Sequence, residues 1–154
     1  EAYLTVSSHF SAAHVLALPH LSYEENCEIF GKCARPNGHG HNYRLEITVK
    51  GTIDERTGMI VDLVKLKEAI AKHITEPFDH TFLNKDIAHF AAENIVIHIS
   101  DLLQQPIRSL GASLHKVKLI ESPNNSAEIV VNVADEAFQQ AATSQLSTQP
   151  LAAV

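Results

Sequence analysis

The chain has 154 residues, 45% of them hydrophobic and 19% charged, with a formal charge of −6, which fits one soluble globular domain with a real core. Lys and Arg are scattered, which argues against a nucleic-acid groove, because phosphate binding needs a concentrated basic face. No apolar run approaches the roughly 18 residues a bilayer span needs, and the first residues carry neither a basic stretch nor a cleavage pattern, so no membrane partner and a cytoplasmic location are expected.

Residues 3–14 place Leu4, Val6, Phe10 and Ala12 on one parity, the pattern of a strand with one face on a core, and His14 shares that parity. Ser22 and Glu25 form a capping-box pattern that predicts a short helix through Phe30, ended by Gly31. Residues 41–50 give the clearest strand, with His41, Tyr43, Leu45, Ile47 and Val49 on one face. Turn formers from Asp54 to Gly58 then precede Met59-Ile60-Val61, so a hairpin between these two segments is expected. Asp62 reads as the N-cap of a helix carrying Leu63, Leu66, Ile70 and Ile74, ending before Pro77. A second helix is expected from Glu93 to about Gln104, stopped by Pro106. Residues 114–121 return to strand alternation, with Val117, Leu119 and Glu121 opposite Lys116 and Lys118, and Ile129 to Val133 suggest an edge strand. The order predicts one α+β domain over 1–133, an antiparallel sheet covered by helices on one face. The tail 134–154, rich in Ala, Gln, Ser and Thr, reads as a frayed helix or a mobile end.

His39-Gly40-His41 carries the most chemistry. Strand side chains alternate faces, so histidines two apart project together and can grip one ion. Neutral imidazole suits Zn²⁺, and a catalytic zinc keeps three protein ligands and one open position; His14, ending the neighbouring candidate strand, is the third donor. Cys33 sits in a loop of turn formers between Lys32 and Arg35, either a reactive thiol, a further zinc ligand or a small loop residue. Cys27, inside the short helix, reads as structural, and two cysteines make no disulfide framework. Asp79-His80 pairs an acid with an imidazole whose basicity it can raise, although adjacent side chains often point apart. Glu121 continues an apolar strand face, where a carboxylate needs a partner that an N–H-rich ligand edge would supply; an exposed strand-end acid is the plainer reading. The remaining histidines, at 9, 20, 73, 89, 98 and 115, have no comparable constellation.

These residues fall in segments that together resemble the 6-pyruvoyltetrahydropterin and 6-carboxytetrahydropterin synthase family, from Phe10 to about Asn125. The carrying segments are Phe10 to His14, Phe30 to Cys33, Asn37 to Tyr43, Thr57 to Asp62, Asp79-His80 with Leu83-Asn84, Ala92-Glu93-Asn94, and Glu121 to Asn125. The resemblance implies a tunnelling fold: an antiparallel four-stranded sheet with two helices, closed into a barrel by three subunits, with two trimers stacked as a homohexamer. It implies zinc on His14, His39 and His41, proton transfer by Cys33 with Asp79 and His80, a pterin held by Glu121 and Glu93, and sites between subunits. The implied substrate is 7,8-dihydroneopterin triphosphate. Five residues separate Cys33 from His39, which resembles the pyruvoyl-forming branch; the carboxy-forming branch of queuosine synthesis has a shorter spacing. A zinc-holding pterin-binding module without turnover is the reading from a different class. One departure is the short Ala91-Ala92 stretch between Phe90 and Glu93, where the family carries a longer loop with Thr or Ser before Glu-Asn.

Overall fold

A computed structural model of the chain describes residues 1–85 and 91–132. The tail expected over 134–154, and the readings that touched residues 89 and 90, lie outside the described residues. Strand β1 (Ala2–His14) and strand β2 (His39–Gly51) pair antiparallel over their whole lengths, from Ala2 opposite Gly51 to His14 opposite His39. Their period-2 pattern is realised: Val6, Phe10 and Ala12 on β1 and Tyr43, Leu45, Ile47 and Val49 on β2 are buried. The sheet has five strands in the order β3-β1-β2-β4-β5, where four all-antiparallel strands were expected. The extra strand, β3 (Thr81–Phe82), lies parallel to β1 at Ala12 and Ala13. Its two residues carry no readable alternation. They are seated by the turn before them, where the His80 N–H donates to the Ser11 carbonyl at 2.6 Å. Strand β4 (Ser113–Ser122) joins the free edge of β2, and β5 (Asn125–Val130) pairs antiparallel with β4.

The expected hairpin between β2 and Met59–Val61 does not form, because both edges of β2 are taken by β1 and β4. Residues 52–61 make a turn instead, in which the Asp54 carboxylate accepts from the backbone N–H of Arg56 and Thr57.

Helix α1 (Tyr23–Phe30) has the capping box in place: the Glu25 N–H donates to Ser22 Oγ and the Ser22 N–H to Glu25 Oε2. Helix α2 (Leu63–Ile70) starts at Asp62, whose carboxylate accepts from the N–H of Val64 and Lys65. It does not end before Pro77: a π-helical stretch (Ala71–Thr75) leads into α3 (Glu76–Phe78), which contains the proline. The wider turn opens the backbone where the ring would otherwise meet a carbonyl one turn back.

Pro106 likewise fails to stop α4 (Ala92–Ser109), which runs on to a C-cap at Leu110. A proline in a helix interior costs about 3 kcal/mol. The extra turn buries Ile107 completely, which contributes about 1.5–3 kcal/mol, and the half-buried Leu110 adds to it.

Leu66, Ile70, Ile74, Ile95, Ile99 and Leu103 form the helical side of the core against Leu45, Ile47, Val117 and Leu119. Two irregularities in β4 decide where its side chains point. Leu114 pairs with Val49 and Lys116 with Thr48, so His115 is an extra residue and the strand changes parity there. That change keeps Leu114 buried as well as Val117 and Leu119. The second shift leaves Glu121 without a partner on β5, between Ile120 opposite Ser126 and Ser122 opposite Asn125.

Candidate active site and metal centre

The last pair of the β1–β2 ladder is His14 opposite His39, and Ala12 faces His41. Full pairing up to that point fixes the three imidazoles on one end of one sheet face, with no freedom of register to separate them. The Nε2 atoms of His14 and His39 are 3.1 Å apart, and one ring nitrogen from each of the three histidines lies within 4.8 Å of the others. Around a tetrahedral ion with Zn–N bonds of about 2.0–2.1 Å, donor nitrogens sit about 3.3 Å apart. His41 Nε2 is buried and has no hydrogen-bond partner, as a lone pair kept for a metal would be. Burial, reinforced by His41, pushes His39 below the ordinary histidine pKa, with Glu121 opposing. The neutral, ligating form is therefore favoured at neutral pH. The donor set fits a divalent metal ion.

The turn before His39 depends on Gly38, whose φ is +68° and at which a Cβ would fall 2.8 Å from the His14 carbonyl oxygen and 2.9 Å from the Phe82 ring. No other residue fits there without displacing the strand end that carries His14. Cys33, in a 3₁₀ turn (Gly31–Ala34), is tied to the segment after β1 by a 2.9 Å bond from the Leu16 N–H to its carbonyl.

His14, Cys33, His39, His41, Glu93 and Glu121 all line one cavity of about 420 Å³. Glu121, on the same face of β4 as Val117 and Leu119, places Oε1 3.6 Å from Nε2 of both His14 and His41. Glu93 enters the wall from the first turn of α4. Six of the residues singled out in the sequence thus line a single cavity.

Asp79 and His80 are not brought to that cavity within the chain. They sit at the end of α3, over a surface depression lined also by His9, Thr75 and Glu76, and His80 borders a second, open one that it shares with Gly40, His41 and Asn42. Their side chains do meet: His80 Nδ1 lies 2.8 Å from Asp79 Oδ2. His80 adopts φ +57°, a left-handed conformation uncommon for residues other than Gly. Asp79 Oδ1 accepts from the Ser11 N–H at 2.8 Å, and this bond, followed by that of His80, holds its carboxyl below the usual range. The pair is a rigid, outward-facing arm, with His80 84% exposed.

Sequence reasoning passed over Tyr43. Its ring packs beside His41 and Phe10, and its fully buried hydroxyl makes no well-formed hydrogen bond. Burial first, then the negative charge of Glu121, raise its pKa well above the tyrosine range, so it remains protonated. The available signal was parity, since Tyr43 shares the face of His41. Cys27 does not line the cavity.

The family model described as 6-pyruvoyl tetrahydropterin synthase matches residues 3–132. A 6-pyruvoyl tetrahydrobiopterin synthase of Drosophila melanogaster is 45% identical over 129 residues, covering 80% of this chain and 76% of that protein. The human protein of the same name is 46% identical over 121 residues, covering 75% and 82%. A putative 6-carboxy-5,6,7,8-tetrahydropterin synthase of Archaeoglobus fulgidus is more distant, 32% identical over 129 residues, covering 84% of this chain and 96% of that protein. Among solved structures, the 6-pyruvoyl tetrahydropterin synthase of Caenorhabditis elegans superposes with a TM-score of 0.76 at 34% identity, covering 85% of this chain and 96% of that one. The chain belongs to the 6-pyruvoyl tetrahydropterin synthase family.

Proposed function

We propose that this chain is a zinc-dependent carbon–oxygen lyase that converts 7,8-dihydroneopterin triphosphate to 6-pyruvoyltetrahydropterin with release of triphosphate. The observation that carries the reading is the convergence of His14, His39 and His41 within 4.8 Å, in a cavity that also holds Cys33, Glu93 and Glu121. When bound, zinc supplies Lewis acidity to the side-chain oxygens of the substrate and so acidifies the neighbouring C–H.

The chain supplies the rest. Glu121 and Glu93 accept hydrogen bonds from the N–H edge of the pterin and set its orientation. Cys33, as thiolate, takes the carbon-bound proton. His80, with Nδ1 held at 2.8 Å by Asp79, presents its other nitrogen for proton exchange at substrate oxygen. Because His80 points away from its own chain's cavity, it serves the cavity of a neighbouring subunit. The assembly in this reading is a homohexamer, two stacked trimers whose sheets close into barrels, with each site shared between subunits. A charged, water-soluble substrate is in keeping with a cytoplasmic enzyme.

The deciding experiment is incubation of the zinc-loaded protein with dihydroneopterin triphosphate near neutral pH, with triphosphate release measured and the pterin product identified by chromatography and mass. Pyruvoyl product is expected, in line with the 45–46% identity to pyruvoyl-forming namesakes against 32% to the carboxy-forming one. A carboxy product would move the chain to queuosine-type deazapurine synthesis. Pterin binding without triphosphate release would leave a non-catalytic binding protein.

A further inference from the structure

Residues 79–84 lie along the outer edge of β1, and their contacts with it change character along the way. Ser11 is held at both its N–H and C=O by Asp79 and His80, and Ala12 and Ala13 pair with the backbone of β3. One step further, where β1 has ended, the partner is a side chain. Asn84 Oδ1 accepts from the Val15 N–H at 2.9 Å and Asn84 Nδ2 donates to the Val15 carbonyl at 3.0 Å. A carboxamide has the donor and acceptor pattern of a peptide group, so Asn84 extends the ladder one rung beyond the strand.

That rung falls between two functional groups. Val15 follows the metal ligand His14, and the next residue, Leu16, donates its N–H to the carbonyl of Cys33 at 2.9 Å. The His14 carbonyl also lies close to Gly38, where an added Cβ would fall 2.8 Å from its oxygen. Without the Asn84 clamp, Val15 loses both bonds that anchor it to the sheet edge, just beyond the last pair of the β1–β2 ladder, His14 opposite His39.

We propose that Asn84 is a positioning residue for the metal centre: by gripping both polar groups of Val15, it fixes His14 and, through Leu16, sets the Cys33 thiol at its distance from the metal-binding corner. The proposal rests on the reading of the three histidines as a metal site. Asn84 touches neither metal nor substrate, and acts as an outer partner that orients a ligand.

The test uses full-length, metal-free protein in a Cys27→Ala background, titrated with Co²⁺ and read by its visible absorption, together with the rate of Cys33 alkylation by iodoacetamide. Asn84→Ala removes both bonds. Asn84→Asp keeps the shape and the acceptor but turns a carboxylate oxygen toward the Val15 carbonyl, so it is expected to behave like the alanine variant. Both should weaken Co²⁺ binding by about 10- to 100-fold and speed alkylation of Cys33. Ile107→Val, which loosens the far end of α4, should lower the melting temperature without either change. Wild-type Co²⁺ affinity or unchanged alkylation in both Asn84 variants overturns the proposal, as does equal weakening by Ile107→Val. Absence of Co²⁺ binding by the unsubstituted protein would overturn the metal reading itself and this inference with it.

Discussion

The two groups of chemically active residues in this chain are held in opposite ways. The histidines at 14, 39 and 41 stand on two strands paired without interruption for 13 residues each, and their cavity is walled by the same chain. Asp79 and His80 stand on a turn at the sheet edge, fixed by bonds to Ser11 but facing outward. The first group is complete as folded. The second is tied to the sheet edge yet lines only open depressions on the surface, one of them beside His41.

That contrast can be broken at several points. The largest effect is expected from His39→Ala or His41→Ala, which should remove bound metal and turnover together. Metal analysis after dialysis beside triphosphate release checks this, and activity surviving metal loss would separate the triad from the chemistry.

Next, Cys33→Ala and His80→Ala should each lower turnover by about 10²- to 10⁴-fold, the range of a lost acid or base, while retaining metal. Unfolding and refolding the two inactive variants together should restore part of the activity, since some mixed sites then receive Cys33 from one chain and His80 from another. No recovery in the mixture would mean that both residues serve the cavity of their own chain.

Glu121→Ala should weaken pterin binding by about 1.5–3 kcal/mol, the value of a hydrogen bond to a charged group, with metal retained. Calorimetric titration with a non-reacting pterin measures it.

The smallest expected effect concerns the arm. The carboxyl of Asp79 is depressed mainly by the Ser11 N–H, so its stabilising bonds are fully present above the unfolded value of about 3.9. They are lost as pH falls through the lower folded value. The Ser11 amide resonance should titrate below that of an unfolded Asp and lose this step in Asp79→Asn.

How far the sequence was legible depends on the range of the forces that decide each feature. Local rules located α1, its capping box and its glycine stop, the Asp62 cap, and the alternating faces of β1 and β2, because each is set by residues within a few positions of one another. Both proline boundaries misled for the opposite reason. At Pro106 the burial of Ile107, with Leu110 beside it, offsets a local penalty, and at Pro77 a π-helical stretch absorbs it. The parallel strand β3 is two residues long, with its partners about seventy positions away, so nothing nearby announces it.

By itself the sequence determined the histidine group, since histidines two apart on a strand must share a face, and a third at the end of the partner strand can reach them. Tertiary structure decided which of the candidate acids share a cavity with them. Pairing of β4 with β2 brings the face that carries Val117, Leu119 and Glu121 beside the histidine cavity, and a turn clipped to the far edge of β1 carries Asp79 and His80 away from it. Periodicity fixes which side of a strand a residue faces, but which wall it then meets depends on pairings made across the whole chain.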